Sequence, residues 1–176
     1  EEALLAASRS MVCHCPFSNC GKGAPDTPQL LERGITVGLG TDGAAHGGLS
    51  LWNEMKIFRS VMNVTWGVST GTPNVMPAAR ILAMATRNGC AVMGMPEGGI
   101  IEEGAPADFI TIRMDAPHLF PTGNTVNTLL ECVTAGDVAD LAVNGRLLMK
   151  DRQILTLDEE KILFEARTYM ERTARP

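Results

Sequence analysis

The run Leu30-Leu31-Glu32-Arg33-Gly34-Ile35-Thr36-Val37-Gly38-Leu39-Gly40-Thr41-Asp42-Gly43 decides how this chain folds. Pro28 through Arg33 reads as a short helix, with Gly34 placed to end it. Residues 35–40 follow as a nearly continuous apolar strand. Strands of that composition are buried on both faces, as in a parallel sheet flanked by helices. Thr41-Asp42-Gly43 closes the strand with a polar turn. A carboxylate therefore stands at the C-terminal end of a buried strand, where α/β folds place their active sites.

Working outward, residues 1–9 read as the end of a helix and residues 10–15 as a short strand that Pro16 terminates. Residues 16–26 are rich in Pro, Gly, Ser and Asn and read as a loop. Downstream, 43–48 reads as a Gly-rich loop. Ser50 caps a helix whose apolar face is Leu51, Met55, Phe58 and Met62. Residues 64–76 read as another loop. Pro77 opens a helix that runs through Ile81, Leu82, Ala85 and Met93 to Gly94. The pattern changes near residue 95. Segments 98–114, 136–149 and 152–156 hold short β-like runs, and Asp108–Ile112 alternates as a half-buried strand does. Asn144-Gly145 between two apolar runs is a hairpin signal. Residues 158–172 read as a charged amphipathic helix. The expected organisation is an α/β part over 1–95, a β part over 96–157 and a C-terminal helix over 158–176.

The net charge of -5 and pI of about 5.2 leave no basic face for nucleic acid. No apolar run is long enough to span a membrane, and no secretory or lipidation signal is visible. The five cysteines form no even framework, so a reducing, cytoplasmic setting is expected. The chain opens on Glu1-Glu2-Ala3-Leu4, which reads as an edge cut through a longer protein.

Three segments taken together carry a resemblance. They are Val12-Cys13-His14-Cys15-Pro16-Phe17-Ser18-Asn19, the run 30–43 quoted above, and Ala85-Thr86-Arg87-Asn88-Gly89-Cys90 followed by Gly104-Ala105-Pro106-Ala107-Asp108. Their order resembles the amidohydrolase superfamily, in its branch of cytosine deaminase, atrazine chlorohydrolase and methylthioadenosine deaminase. The resemblance implies an α/β fold: a C-terminal fragment of a metal-dependent hydrolase (β/α)8 TIM barrel with a share of a composite β-sandwich. On that reading residues 10–15 are barrel strand 7 and residues 35–41 are strand 8. The first six strands would lie outside the chain. With them would go the His-x-His pair of strand 1, the histidines of strands 5 and 6, and the acid after strand 5.

The resemblance also assigns roles. Asp42 would bind a divalent metal, zinc or iron, and accept a proton as activated water attacks. By its residue type alone, Asp42 reads equally as a turn-forming Asp-Gly. His14 falls in a His-x-Pro-x-Ser-Asn pattern. It would either hydrogen-bond near the metal or substrate, or position the loop. Ser18 and Asn19 would contact substrate or cap the turn. His46, on the loop after strand 8, is a substrate-contact candidate. The implied activity is hydrolysis of a non-peptide C–N bond, with deamination of an amino-substituted heterocycle foremost.

Two rival readings stand beside it. The chain alone carries one metal ligand, which is too few for a site. It could therefore be catalytically silent, with exposed strand edges that drive homo-oligomer formation. Alternatively Cys13, His14, Cys15 and Cys20 could form a zinc knuckle, although strand alternation aims His14 away from Cys13 and Cys15. In the plain reading, Cys13 and Cys15 are small core residues.

Overall fold

At the centre of the first half lie two strands of three residues each. The computed structural model describes residues 1–72 and 74–174, apart from the side chain of His46. Helix α1 (Glu2–Ser8) leads into strand β1 (Val12–His14). A turn of helix, α2 (Pro16–Asn19), and helix α3 (Thr27–Glu32) carry the chain over to β2 (Val37–Leu39). The strands pair in parallel, with Val12 opposite Val37, Cys13 opposite Gly38 and His14 opposite Leu39. Such pairing requires a crossover, and α3 supplies it. Asp26 caps α3 by accepting from the Gln29 N–H.

After β2 come α4 (Ala44–Gly47), α5 (Leu51–Met62), a π-helical turn (Asn63–Gly67), α6 (Val68–Thr70), α7 (Ala78–Ala85) and α8 (Arg87–Val92). Ser50 caps α5 as its sequence predicts. The apolar face of α5 is the core: Met55, Phe58 and Met62 are buried with Leu30, Ile35, Val37, Leu39, Met76, Ile81 and Met84. Thus α3, α5 and α7 cover one face of the parallel pair. The other face meets α8 at Gly38, where a Cβ would come within 3.1 Å of the Gly89 Cα. At Gly40 a Cβ would lie 2.8 Å from Cys13 Sγ and 3.0 Å from Cys15 Sγ.

Several expectations need correcting. The stretches 16–26, 43–48 and 64–76 are not plain loops, because each holds a short helical segment. The helix expected over 77–94 is two helices. It breaks at Thr86, whose φ of −117° and ψ of −101° lie outside the helical region. Thr86 Oγ1 donates back to the Leu82 carbonyl at 2.8 Å, a local bond that competes with the helical ladder. Cys13 is exposed and Cys15 half-buried, so neither is a core residue here. Their side of the parallel pair is only partly covered.

The second half holds β3 (Phe109–Ile112), helix α9 (Thr125–Glu131), β4 (Val138–Val143), β5 (Arg146–Lys150), β6 (Gln153–Ile154) and helix α10 (Glu159–Thr173). The strands form one antiparallel sheet in the order β3-β4-β5-β6. The Asn144-Gly145 turn has φ of 50° and 74° at its two residues, as a two-residue hairpin with left-handed positions requires. Val143 and Arg146 flank it in register. Helix α9 ties this half to α5. Trp52 Nε1 donates to the Leu129 carbonyl at 2.9 Å and Arg59 pairs with Glu131 at 2.7 Å. Helix α10 is capped by Asp158 and buries none of its residues.

Candidate active site

The candidate site forms where the chain leaves the C-terminal ends of the two parallel strands. After β1, Pro16 occupies the first position of α2, where its missing N–H costs nothing. Asn19 closes the turn, its Oδ1 accepting from the Cys15 N–H at 3.2 Å. After β2, the Gly40 N–H donates to the His14 carbonyl at 2.9 Å and prolongs the ladder by one bond. Asp42 then turns into the left-handed region at φ 56°, a conformation Asp tolerates better than most residues.

These two exits bring Ser18 and Asp42 together. Ser18 Oγ donates to Asp42 Oδ2 at 2.6 Å, a short hydrogen bond of the kind hydroxyls give to charged carboxylates. Asp42 is exposed and Ser18 half-buried. The pair combines an ionisable carboxylate with a hydroxyl that fixes its orientation. Chemically it can accept a proton or donate an oxygen ligand to a cation. His46 lies in α4, and its side chain falls outside the described part of the structure.

His14 sits elsewhere. It is 2% exposed, with its ring edge-on to Phe58 at a centroid distance of 5.4 Å. Its Nδ1 lies 3.3 Å from Thr27 Oγ1. These contacts are with the core, and they suit a residue that positions the strand end and the loop. Burial lowers its pKa from 6.5 to about 4, so the ring is neutral near pH 7. The sign of the linkage follows. The unfolded chain binds this proton more tightly than the folded one. The contribution to stability is full above pH 6.5 and is lost as pH falls through about 4. Lowering the pH across this window should destabilise the chain by roughly 3 kcal/mol. His14→Phe should flatten that dependence. Urea unfolding at pH 7 and at pH 4.5 checks both.

The thiols of Cys13 and Cys15 share the opposite face of β1. Burial and the neighbouring Cys13 raise the Cys15 pKa, and a hydrogen bond from the Asp42 backbone opposes them. Cys20 is exposed. Among the described residues no group of three or more His, Cys, Asp and Glu is placed to hold a metal, so the zinc-knuckle reading finds no support.

One residue escaped the sequence reading. Glu54, on the first turn of α5, is 1% exposed, and its Oε2 accepts the Phe17 N–H at 2.8 Å. A signal was present: Glu54 lies three residues after Leu51 and four before Phe58, inside the apolar stripe of the helix.

Known proteins resemble this chain over most of its length. A model of the amidohydrolase family matches residues 1–148. The chain belongs to the amidohydrolase family. Among curated amidohydrolase-like relatives, a 5-methylthioadenosine/S-adenosylhomocysteine deaminase of Dictyoglomus thermophilum is 40% identical over 169 residues. That match covers 94% of this chain and 39% of the relative. A 5'-deoxyadenosine deaminase of Methanosarcina acetivorans is 38% identical, covering 91% of this chain and 37% of the relative. A zinc-bound adenosine deaminase of Xanthomonas campestris superposes with a TM-score of 0.87 at 24% identity, over 97% of this chain and 39% of that one. Atrazine chlorohydrolase of Arthrobacter aurescens, solved with zinc, gives a TM-score of 0.82 at 26% identity, over 96% and 37%. This amidohydrolase chain therefore spans about two fifths of the length of the curated relatives it matches. Among the described residues no helix is long and apolar enough to cross a membrane.

Proposed function

We propose that this chain is the part of a metal-dependent hydrolase that supplies its working carboxylate, Asp42. The bond from Ser18 Oγ to Asp42 Oδ2 at the ends of two parallel strands is the observation that carries the reading. In this reading β1 and β2 are strands 7 and 8 of a (β/α)8 barrel, and the antiparallel sheet is its share of a composite sandwich. The substrate is an amino-substituted heterocycle of the adenosine type, because the relatives' names describe deaminases of such molecules. In this reading Asn19, on the exit from β1, and His46, on the exit from β2, would contact that substrate.

The fit of a metal is partial. Asp42 offers one oxygen donor that suits zinc or iron, and the described residues provide no second and third ligand beside it. The remaining ligands come from the rest of the protein. When bound there, a divalent metal acidifies water toward neutrality. The work of this chain is to hold Asp42 ready to accept a proton from the attacking water, with Ser18 fixing the plane of the carboxylate. Neutral His14 supports the strand end from behind. Taken alone, the chain is catalytically silent. The pairing of β1 and β2 only with each other, among the described residues, leaves strand edges that favour association with another copy.

Two preparations made without chelators test this: the 176-residue chain and a version extended upstream. Metal content and ammonia release from 5'-deoxyadenosine and methylthioadenosine are measured for both. Stoichiometric metal and turnover are expected only in the extended protein. A metal bound tightly by the 176-residue chain itself would overturn the reading.

A further inference from the structure

We propose that Glu54 is the positioning residue that aims Ser18 at Asp42. The proposal rests on the reading of Asp42 as the working carboxylate. It starts from an oddity of burial. A carboxylate at 1% exposure is costly to desolvate and persists only where it is hydrogen-bonded. An apolar side chain at position 54 would complete the stripe of Leu51, Phe58 and Met62. Helix α5 does not need Glu54 for capping either, because Ser50 already accepts from the Asn53 N–H. What the carboxylate does provide is an acceptor for the Phe17 N–H, at 2.8 Å.

That N–H belongs to a segment that cannot hold itself. Helix α2 has four residues, well short of the length at which a helix is stable alone. Its first residue, Pro16, has no N–H, so Phe17 presents the first donor of the turn. The next residue is Ser18, whose Oγ reaches Asp42 Oδ2 at 2.6 Å. Position 17 fixed by that bond leaves Ser18 little freedom in direction. Asp42 lies at the end of β2, and α5 is the long helix that follows it. Glu54 therefore reaches back from the β2 side to the loop after β1. The two halves of the Ser18–Asp42 pair are thus joined twice, once directly and once through Glu54.

The test uses the 176-residue chain and compares Glu54→Gln, Glu54→Leu and Glu54→Asp, with Ser18→Ala as reference. Amide exchange and NMR shifts are the readouts, so neither metal nor turnover is needed. Glu54→Gln keeps an acceptor at the same reach and should leave Phe17 protected. Glu54→Leu removes the acceptor, and Glu54→Asp withdraws it by one methylene. In both, the Phe17 amide should exchange about tenfold faster or more, and Asp42 resonances should move toward those of Ser18→Ala. The Val37 and Leu39 amides, in the core strand, should stay protected. If Glu54→Leu does not fold, Glu54→Asp decides. Unchanged Phe17 protection or unchanged Asp42 resonances in the variants without reach would overturn the proposal, as would Glu54→Gln behaving like Glu54→Leu. In the extended protein, kcat should fall in Glu54→Leu and recover in Glu54→Gln, with KM little altered. An extended wild type without deaminase activity would end the functional reading and leave the exchange result standing.

Discussion

Phe58→Ala should remove a large part of the stability of this chain, about 3–5 kcal/mol against the roughly 5–15 kcal/mol typical of a domain. Phe58 is fully buried on the inward face of α5. Its ring fills the space under the parallel strands and meets His14 edge-on. Truncation removes the apolar contact and leaves a cavity beside a neutral imidazole, so the transfer and cavity costs add. Phe58→Leu keeps much of the volume and should cost less. Urea unfolding followed by circular dichroism measures both. A loss below about 1 kcal/mol for the alanine variant would mean that α5 can settle onto β1 and β2 without this ring.

The second large effect concerns chemistry. Asp42→Asn in the extended protein should lower kcat by about 10²- to 10⁴-fold, the usual worth of a positioned proton acceptor. Asparagine is the informative substitution because it also tolerates φ 56°, and its amide oxygen can still accept from Ser18 Oγ. The backbone and the short bond then persist while the charge is lost. Asp42→Ala would mix in backbone strain. Activity within threefold or so of wild type would remove Asp42 from the role assigned to it.

Much of the frame was legible because apolar spacing in this chain is clean. The strand expected over 35–40, which the structure shortens to Val37–Leu39, the Ser50 cap, the face Met55–Phe58–Met62 and the Asn144-Gly145 turn each follow from residue type and period. What was not legible depends on partners distant in sequence. Helix α9 has only Val126, Leu129 and Leu130 as apolar residues, and it is held by Trp52 and Arg59 from α5. The break at Thr86 is the local exception: it falls within a continuous helical pattern and rests on the bond to the Leu82 carbonyl, with the nearest glycine three residues on at Gly89. In the site, Asp42 and Ser18 could be named from sequence, but their contact could not, since it joins residues 24 positions apart. Glu54 was hidden for the opposite reason: a single polar residue in an apolar stripe reads as a flaw until its partner, Phe17, is seen. His14 was named with two alternative roles, and only its surroundings show a ring turned to Thr27 and Phe58.

The missing side chain at Gly40 has a consequence for how this protein can change over evolutionary time. The sulfurs of Cys13 and Cys15 both occupy the space that a Cβ at position 40 would claim. Substitutions at the three positions are therefore coupled. An alanine at 40 requires the thiols of Cys13 and Cys15 to turn aside or be exchanged for something smaller, and a bulkier residue at 13 or 15 favours keeping glycine at 40. Their mutational effects should be epistatic, so the cost of a residue at 40 depends on which side chains already stand at 13 and 15.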